Sequence, residues 1–414
     1  LSHHPNFNNP DAKMLKVLVA PLDWGLGHAT RCIPIIKEFV NQGSTVIIAA
    51  SGHIKILLQE EFPTVRFVEI PGYRIKYGKN RAFTILRLIV VLPKILIRVK
   101  RENRWLRRFS RHEQPDLVIS DNRYGLYRKG IVCVFITHQL AIRTPFGGVV
   151  DWLLQRINYS AIRHFFCCWV PDIPGAGSLA GKLSHPQNMP SIPTRYIGWL
   201  SRFGAAAPAT VTAAAAAAAA ATAAVTAAAA AVATEAVAGP DGPDDCDLLV
   251  LLSGPEPQRT LLENIILQQA AAVDGKMVLV RGRPAGDPPL PAIPVNCRVY
   301  DHLAAAELEP LIRRSAIVLS RPGYSTVMDL VRLGRRAIFV PTPGQTEQEY
   351  LGSYLSQRGL GCCLPQRQFS LPAALAAARS FPFRFPEEQS NDLLKTAIAE
   401  LLAALPAERP QLPR

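Results

Sequence analysis

Apolar residues in this chain fall into short runs, and the runs alternate with amphipathic stretches of helical period. Lys16–Ala20 reads as a buried strand, followed by a Gly-rich turn and a helix from about Thr30 to Asn41. Val46–Ala50 and Val65–Val68 read as strands on either side of a helix from about Gly52 to Glu61, and Asp116–Ser120 and Ile131–Thr137 as two more strands. The same grammar returns later with Leu248–Ser253, a helix from about Gln258, then Met277–Arg281 and Ile317–Ser320. A helix from about Ser325 to Leu333, the run Ala337–Val340 and a helix from Glu347 complete it. Parallel strands need a crossover about as long as a helix, so the alternation predicts an α/β chain with two Rossmann-like parallel sheets. Such sheets bind ligands at the carboxyl ends of their strands, and two facing sheets would share one interdomain cleft.

The interruption is compositional. Between Ala205 and Ala238, 23 of 34 residues are Ala, and Gly239-Pro240-Asp241-Gly242-Pro243 closes the stretch. With no polar face to keep such a helix soluble, it reads as a low-complexity linker. The expected division is a polar extension at 1–13, a first domain at 14–203, the linker at 204–246, a second domain at 247–385, and a helix and tail at 386–414. Residues 1–13 lack the apolar core of a signal peptide, and Met14 is a candidate start.

At 414 residues, with 49% hydrophobic and 19% charged positions, the chain is long and apolar enough for two cores and is not a disordered polymer. No apolar run approaches the roughly 18 residues of a spanning helix. The eight cysteines contain no CxxC spacing and lie mostly in apolar runs, so they read as core residues in a reducing cytoplasm, with no metal site expected. Net charge is +14, and its distribution is uneven: residues 1–204 carry 28 Lys and Arg against 12 Asp and Glu, while 205–414 carry 18 against 20. Much of the excess lies in Arg81–Arg111, a basic amphipathic segment of net +9 whose one acid is Glu102. That composition suits an anionic membrane surface, or equally a helix with a cationic outer face. No RNA- or DNA-binding motif accompanies the charge, so nucleic acid is not expected as a partner.

Candidate chemistry gathers at the predicted strand ends. The first turn, Gly25-Leu26-Gly27-His28, offers backbone N–H groups at a helix start and an imidazole suited to general-base work or to a structural hydrogen bond. Asp121 ends a strand at the same edge and could orient His28 or simply cap a turn; Asn122 follows it, and His138 is a second candidate base. In the second half, Ser253-Gly254 with Arg259 could hold phosphate. Arg321-Pro322-Gly323-Tyr324-Ser325-Thr326 could do so more fully, with Asp329 one turn on to accept ribose hydroxyls. Gln345, Glu347 and Gln348 could bind sugar hydroxyls or form a solvated first turn.

Over residues 15–203 and 247–380 this pattern resembles the GT-B glycosyltransferases that carry a glycosyltransferase family 28 C-terminal domain. Relatives include the peptidoglycan N-acetylglucosaminyltransferase that makes lipid II and the UDP-glycosyltransferases. The resemblance implies that Arg321, Ser325 and Thr326 face a diphosphate and Asp329, where relatives usually have Glu, the ribose. It further implies that Glu347 and Gln348 hold the donor sugar, Ser253-Gly254 a phosphate, and His302-Leu303 the uracil. In the first domain it implies that His28 is the base and Asp121 its partner, with Gly25, Gly27, Asn122 and His138 on the acceptor side. The implied activity is inverting, metal-independent transfer of a hexosyl or N-acetylhexosaminyl group from a UDP-sugar such as UDP-N-acetylglucosamine. The acceptor would be a lipid-linked or membrane-associated hydroxyl or a glycan, with no cofactor, on a cytoplasmic protein peripheral to the inner face of the membrane. A nucleotide-sugar epimerase of the same fold, or a non-catalytic membrane- or polyanion-binding protein, are the alternatives.

Overall fold

The structure, a computed structural model, describes residues 14–72, 84–144, 147–204, 246–254, 256–283, 290, 292–386 and 392–405. The side chains of 84–94 are outside that description, as are the Ala-rich stretch and the polar extension.

Residues 14–203 form a seven-stranded sheet and its helices. The strands are β1 (Lys16–Pro21), β2 (Thr45–Ala49), β3 (Arg66–Val68), β4 (Leu117–Asp121), β5 (Val132–Ile136), β6 (Cys167–Val170) and β7 (Thr194–Tyr196). The helices are α1 (Leu26–Asn41), α2 (Gly52–Glu61), α3 (Thr84–Glu113) and α4 (Gly148–Ile162). Every pairing is parallel, in the order β3-β2-β1-β4-β5-β6-β7. β1 and β4 are continuous apolar runs because the central strands of such a sheet are covered on both faces. On one face Ile33, Ile36 and Phe39 of α1 pack over Val17 and Val19; on the other, Leu106 of α3 and Ile162 of α4 pack over Leu18 and Val118.

The second unit has a six-stranded parallel sheet, ordered β10-β9-β8-β11-β12-β13. Its strands are β8 (Leu248–Leu251), β9 (Met277–Val280), β10 (Cys297–Tyr300), β11 (Ile317–Ser320), β12 (Ala337–Phe339) and β13 (Cys362–Cys363). Its helices are α5 (Gln258–Ala270), α6 (Ala305–Arg314), α7 (Tyr324–Arg332), α8 (Thr346–Gln357) and α9 (Leu371–Ser380). The last helix, α10 (Asp392–Ala403), returns to the first unit and packs against β7, where Arg195 Nε lies 2.9 Å from Glu400 Oε2.

The basic segment is the long helix α3. The one acid between Arg81 and Arg111 faces inward: Glu102, 1% exposed, accepts from Arg123 Nη1 at 2.8 Å and from the Gly125 backbone at 3.1 Å. That contact pins the helix to the loop after β4, while Arg101, Arg104, Arg107 and Arg108 stay outside. The α/β reading of the sequence holds. Four short strands, β6, β7, β10 and β13, carry too few residues to stand out in the pattern and emerge only through their parallel partners.

The two units pack directly on one another. Helix α1 meets α7, Tyr324 Oη donates to Pro171 O at 2.8 Å, Tyr354 Oη donates to Ser178 O at 2.9 Å, and the Lys182 backbone donates to Tyr350 Oη at 2.9 Å. One apolar cluster runs through the junction, from Leu179, Trp199 and Phe203 to Met328, Leu351 and Leu355.

A tight turn after β9 supports the second sheet. Gly282 has φ +70°, and a Cβ there would sit 2.3 Å from the Leu252 carbonyl oxygen. Gly282→Ala is expected to lower stability by roughly 1–3 kcal/mol, read as a reduced urea midpoint. An unchanged midpoint would show that the turn is free to shift.

Candidate active site

The first catalytic candidate stands earlier in its helix than the sequence pattern implies. Helix α1 begins at Leu26, so His28 lies in its first turn instead of in a preceding loop. The glycines made that turn look like coil, yet Thr30 Oγ1 bonds back to Gly27 O at 3.1 Å and closes it. Gly27 also lets the second domain approach. Ser325 Oγ donates to Gly27 O at 2.7 Å, and a Cβ on residue 27 would lie 2.9 Å from that hydroxyl.

Asp121, the last residue of β4, is fully buried and faces His28 with Oδ2 3.0 Å from Nδ1. Between them sits a residue the sequence reading passed over. Arg31, 2% exposed, directs Nε to both Asp121 oxygens at 3.1 and 3.0 Å and Nη2 to Oδ1. Its Nη1 lies 3.0 Å from His138 Nδ1, and His138 Nε2 lies 2.7 Å from Glu347 Oε1 in the second domain. The His138 ring stacks on Tyr324 at 4.3 Å and 7°. A polar chain therefore runs from His28 through Asp121, Arg31 and His138 to Glu347, crossing the domain boundary. The available signal for Arg31 was a lone cation one turn after His28 on a helix face otherwise made of Cys32, Ile35 and Ile36.

Donor and acceptor logic assigns the protons. A guanidinium only donates, so His138 must present the Nδ1 lone pair to Arg31 and Nε2–H to the Glu347 carboxylate. Its basic nitrogen is thereby occupied. An ionised Asp121 only accepts, so His28 carries its proton on Nδ1 and the lone pair on Nε2. Arg31 Nη2 also lies 2.8 Å from His28 Nδ1, but its two hydrogens have Asp121 Oδ1 and, in the hydrogen-bonding amide orientation, the Asn122 oxygen at 3.2 Å as acceptors. Of the two imidazoles, His28 is the one arranged to take a proton.

Charge states follow the same arrangement. Burial lowers the His28 pKa below 6.5; Asp121 works against that and Arg31 with it. Burial alone would raise Asp121, but Arg31 and then His28 outweigh it and hold the carboxyl at about 2. Glu347 is likewise held below 4.5, since His138 and Arg31 outweigh the effect of its burial.

On the second-domain side, helices α7 and α8 both start at the junction, Ser325 in the first turn of α7 meeting Gly27 and Glu347 in the first turn of α8 meeting His138, so two positive helix ends lie there. Ser325 and Thr326 are half-buried in the first turn of α7, beside Gly323. Gln348 Oε1 accepts from the Thr342 backbone at 2.8 Å. Three polar atoms near the ends of β11 and β12, Ser320 Oγ, Thr342 Oγ1 and Gln345 Oε1, are buried without a hydrogen-bond partner among the described residues. Ser253 and Gly254 lie just past β8, and Leu303 is buried close to the start of α6.

Several residues are used differently from the sequence expectation. Arg259, 3% exposed, binds Glu256 at 2.7 Å and pairs with Glu263, which in turn holds Arg281 at 3.0 Å. Its guanidinium braces α5 against β9 and does not present charge to a phosphate. Arg321, 1% exposed, donates to Val340 O and Gln258 O, both at 2.9 Å, and burial brings its pKa down to about 10. It ties the segment after β12 to the start of α5. Asp329 accepts from Ser201 Oγ at 2.7 Å and from Arg202 Nε at 3.3 Å, so it holds the segment leaving the first domain. His302 Nε2 lies 3.5 Å from Glu60 of α2. In its hydrogen-bonding amide orientation, Asn122 donates to Thr137 Oγ1 at 3.0 Å and accepts from Arg31, an inward role. Among the described residues, no group of three or more His, Cys, Asp or Glu could hold a metal ion.

Because the folded pKa of Asp121 lies below the ordinary aspartate value of 3.8, its ionised form adds stability that is complete above that value and lost as pH falls towards about 2. The size is on the order of 2 kcal/mol. Asp121→Asn should lower stability at neutral pH, by leaving Arg31 uncompensated, and should flatten the loss between pH 4 and 2. Urea titrations of both proteins across that window check it; parallel acid limbs would contradict the pairing.

Comparison with known proteins agrees with this architecture. Residues 298–402 match the glycosyltransferase family 28 C-terminal domain. Over 100 residues the chain is 39% identical to the UDP-N-acetylglucosamine--N-acetylmuramyl-(pentapeptide) pyrophosphoryl-undecaprenol N-acetylglucosamine transferase of Methylorubrum extorquens, covering 22% of this chain and 27% of that one. The match thus spans about a quarter of that relative's length. An uncharacterized glycosyltransferase of Methanosarcina acetivorans is 23% identical over 366 residues, covering 84% of this chain and 85% of the relative. The solved glycosyltransferase SnogD of Streptomyces nogalater superposes with a TM-score of 0.55 at 16% identity, over 95% of this chain and 100% of that one. The chain has the two-domain fold of the GT-B glycosyltransferases, and its residues 298–402 match the glycosyltransferase family 28 C-terminal domain.

Proposed function

We propose that this protein transfers a hexosyl or N-acetylhexosaminyl group from a UDP-sugar to an acceptor hydroxyl, with inversion at the anomeric carbon and His28 as base. The observation that carries the reading is the His28–Asp121 pair facing Glu347 and the start of α7 across the domain junction. His28 Nε2 takes the acceptor proton while Asp121 stabilises the imidazolium that forms. The acceptor oxygen bonds to the anomeric carbon as its bond to UDP breaks. Charge on the leaving diphosphate is met by the starts of α7 and α8 and by the Ser325 and Thr326 hydroxyls. Glu347, drawn from His138, accepts from the sugar hydroxyls, and the unpartnered atoms of Ser320, Thr342 and Gln345 offer further acceptors and donors there. The named activity of the Methylorubrum relative supports a UDP-sugar donor and an acceptor carried on a lipid.

A lipid-borne acceptor is also supported by the surface of the first domain. Among the described residues no helix is long and apolar enough to cross a membrane. Helix α4, however, exposes Val149, Trp152, Leu153 and Ile157, spaced along one face, with Arg156 over the Trp152 ring at 5.0 Å. Leu96 and Ile97 of α3 are exposed as well, among the arginines of that helix. An apolar stripe flanked by cations suits an anionic membrane surface, at which this protein would sit peripherally on the cytoplasmic side.

Calorimetric titration with UDP, beside GDP and ADP, is expected to give binding of UDP alone, weakened in Thr326→Val. In a transfer assay His28→Ala should lose roughly a hundredfold or more of its rate with UDP affinity unchanged. The wild-type rate should be level at neutral pH and fall as pH drops through a value below 6.5. Full activity in His28→Ala would remove the mechanism, and turnover of the UDP-sugar without acceptor would favour an epimerase.

Sedimentation with phosphatidylglycerol vesicles at low salt tests the surface separately. The wild type should sediment, and the Trp152→Ser, Leu153→Ser double variant should stay largely in solution. Failure of the wild type to sediment would remove the membrane association and leave the transferase reading standing.

A further inference from the structure

A second place on the first domain is built for an anion, at the end of the sheet away from His28. A cavity of about 610 Å³ is lined by Arg107 and Arg111 from the end of α3, by Arg128, Lys129 and Gly130 ahead of β5, and by His164, Phe165 and Phe166 ahead of β6. Tyr127 completes it and stacks on His164 at 4.6 Å and 11°. These segments precede β5 and β6, whereas Asp121 ends β4. The length of a five-residue strand, about 15 Å, therefore separates the cavity from the catalytic candidates.

Three arginines and a lysine line this cavity, and none of its lining residues is Asp or Glu. Part of that charge has a structural account, since the carboxyl end of α3 lies here. Arg128 Nη1 donates to Arg107 O at 2.9 Å and to Ser110 Oγ, which places one guanidinium on the helix end. A helix end offers only about half a unit of negative charge, and the exposed cations Arg107, Arg111 and Lys129 meet no carboxylate in the lining. Burial, then the nearness of Arg111 and Arg107, lowers the Arg128 pKa, as expected where like charges are held together. Phe166 is 46% exposed at the rim, giving the polar floor an apolar edge.

We infer that this cavity binds the phosphoryl group of a phosphate-bearing ligand, with Arg111, Lys129 and Arg107 around the phosphate oxygens and Phe166 against the rest of the molecule. The chemistry fits either a soluble phosphate ester or an anionic lipid headgroup. Two guanidinium groups and an ammonium lining one cavity supply several charged donors for the oxygens of a phosphate. The site goes beyond the transferase reading and uses none of its residues.

The test is calorimetric titration of the full chain, held saturated with UDP so that the donor site is occupied, with inorganic pyrophosphate at moderate salt. Three proteins are compared: wild type, Arg111→Gln with Lys129→Gln, and Arg101→Gln with Arg104→Gln. The last pair removes two exposed charges from the same helix outside the cavity. The expected result is at least a tenfold weaker affinity in the first variant and little change in the second. Equal affinity in wild type and Arg111→Gln/Lys129→Gln would overturn the proposal, and so would an equal loss in both variants, which would reduce the effect to net charge. Displacement of bound pyrophosphate by phosphatidylglycerol vesicles, but not by phosphatidylcholine vesicles, would identify a headgroup as the source of the phosphate. With the tenfold loss in hand, absence of displacement would identify a soluble one.

Discussion

A guanidinium that is 2% exposed, between two domains, is the constraint around which the rest of the site is arranged. Arg31 remains charged at any working pH, so its burial is tolerable only with a carboxylate against it and its other hydrogens bonded. Asp121 supplies the charge, and His138 and Asn122 take the remaining donors. One consequence is chemical. The carboxylate that neutralises Arg31 also fixes the His28 tautomer, while the guanidinium and burial together keep that imidazole neutral. The other consequence is mechanical. Through His138 the same guanidinium reaches Glu347, so the surroundings of His28 are tied to a carboxylate of the second domain.

That tie explains why the junction is close here. Ser325 meets Gly27, Tyr324 reaches Pro171, and Asp329 holds Ser201 and Arg202, all from a single helix, α7. The start of a helix carries unpaired N–H groups and partial positive charge, which a carbonyl such as Gly27 O and a hydroxyl such as Ser325 Oγ can meet. A diphosphate would meet them better. The contacts that close the junction therefore occupy groups of the kind a nucleotide would use, and binding there would exchange one set for another.

Much of the scaffold was legible from the residue pattern, because buried parallel strands are unbroken apolar runs. β1, β4 and β11 were read within a residue of their ends. The strands that were missed, such as Cys362–Cys363, are two to four residues long and owe their state to a neighbour's hydrogen bonds instead of to their own composition. In the site, His28 and Asp121 could be singled out because each follows or ends a strand at the same edge of the sheet. Arg31 could not, since nothing local distinguishes a buried arginine from a solvated one. Arg259, Arg321 and Asp329 show the converse. Each stands at the right spacing for a ligand, yet each is committed to protein partners that lie 3 to 128 positions away in sequence.

The order of strands and helices, the presence of two parallel sheets and the edge at which the chemistry gathers were determined by the sequence alone, because hydrophobic period and strand-end position are local properties. Which cations are buried, which imidazole keeps its lone pair and which carboxylates face the cleft were decided only by the tertiary structure. Those outcomes depend on partners brought together across the sheet and across the domain junction, and the strength of an ionic or hydrogen-bonding group is set by what surrounds it in space.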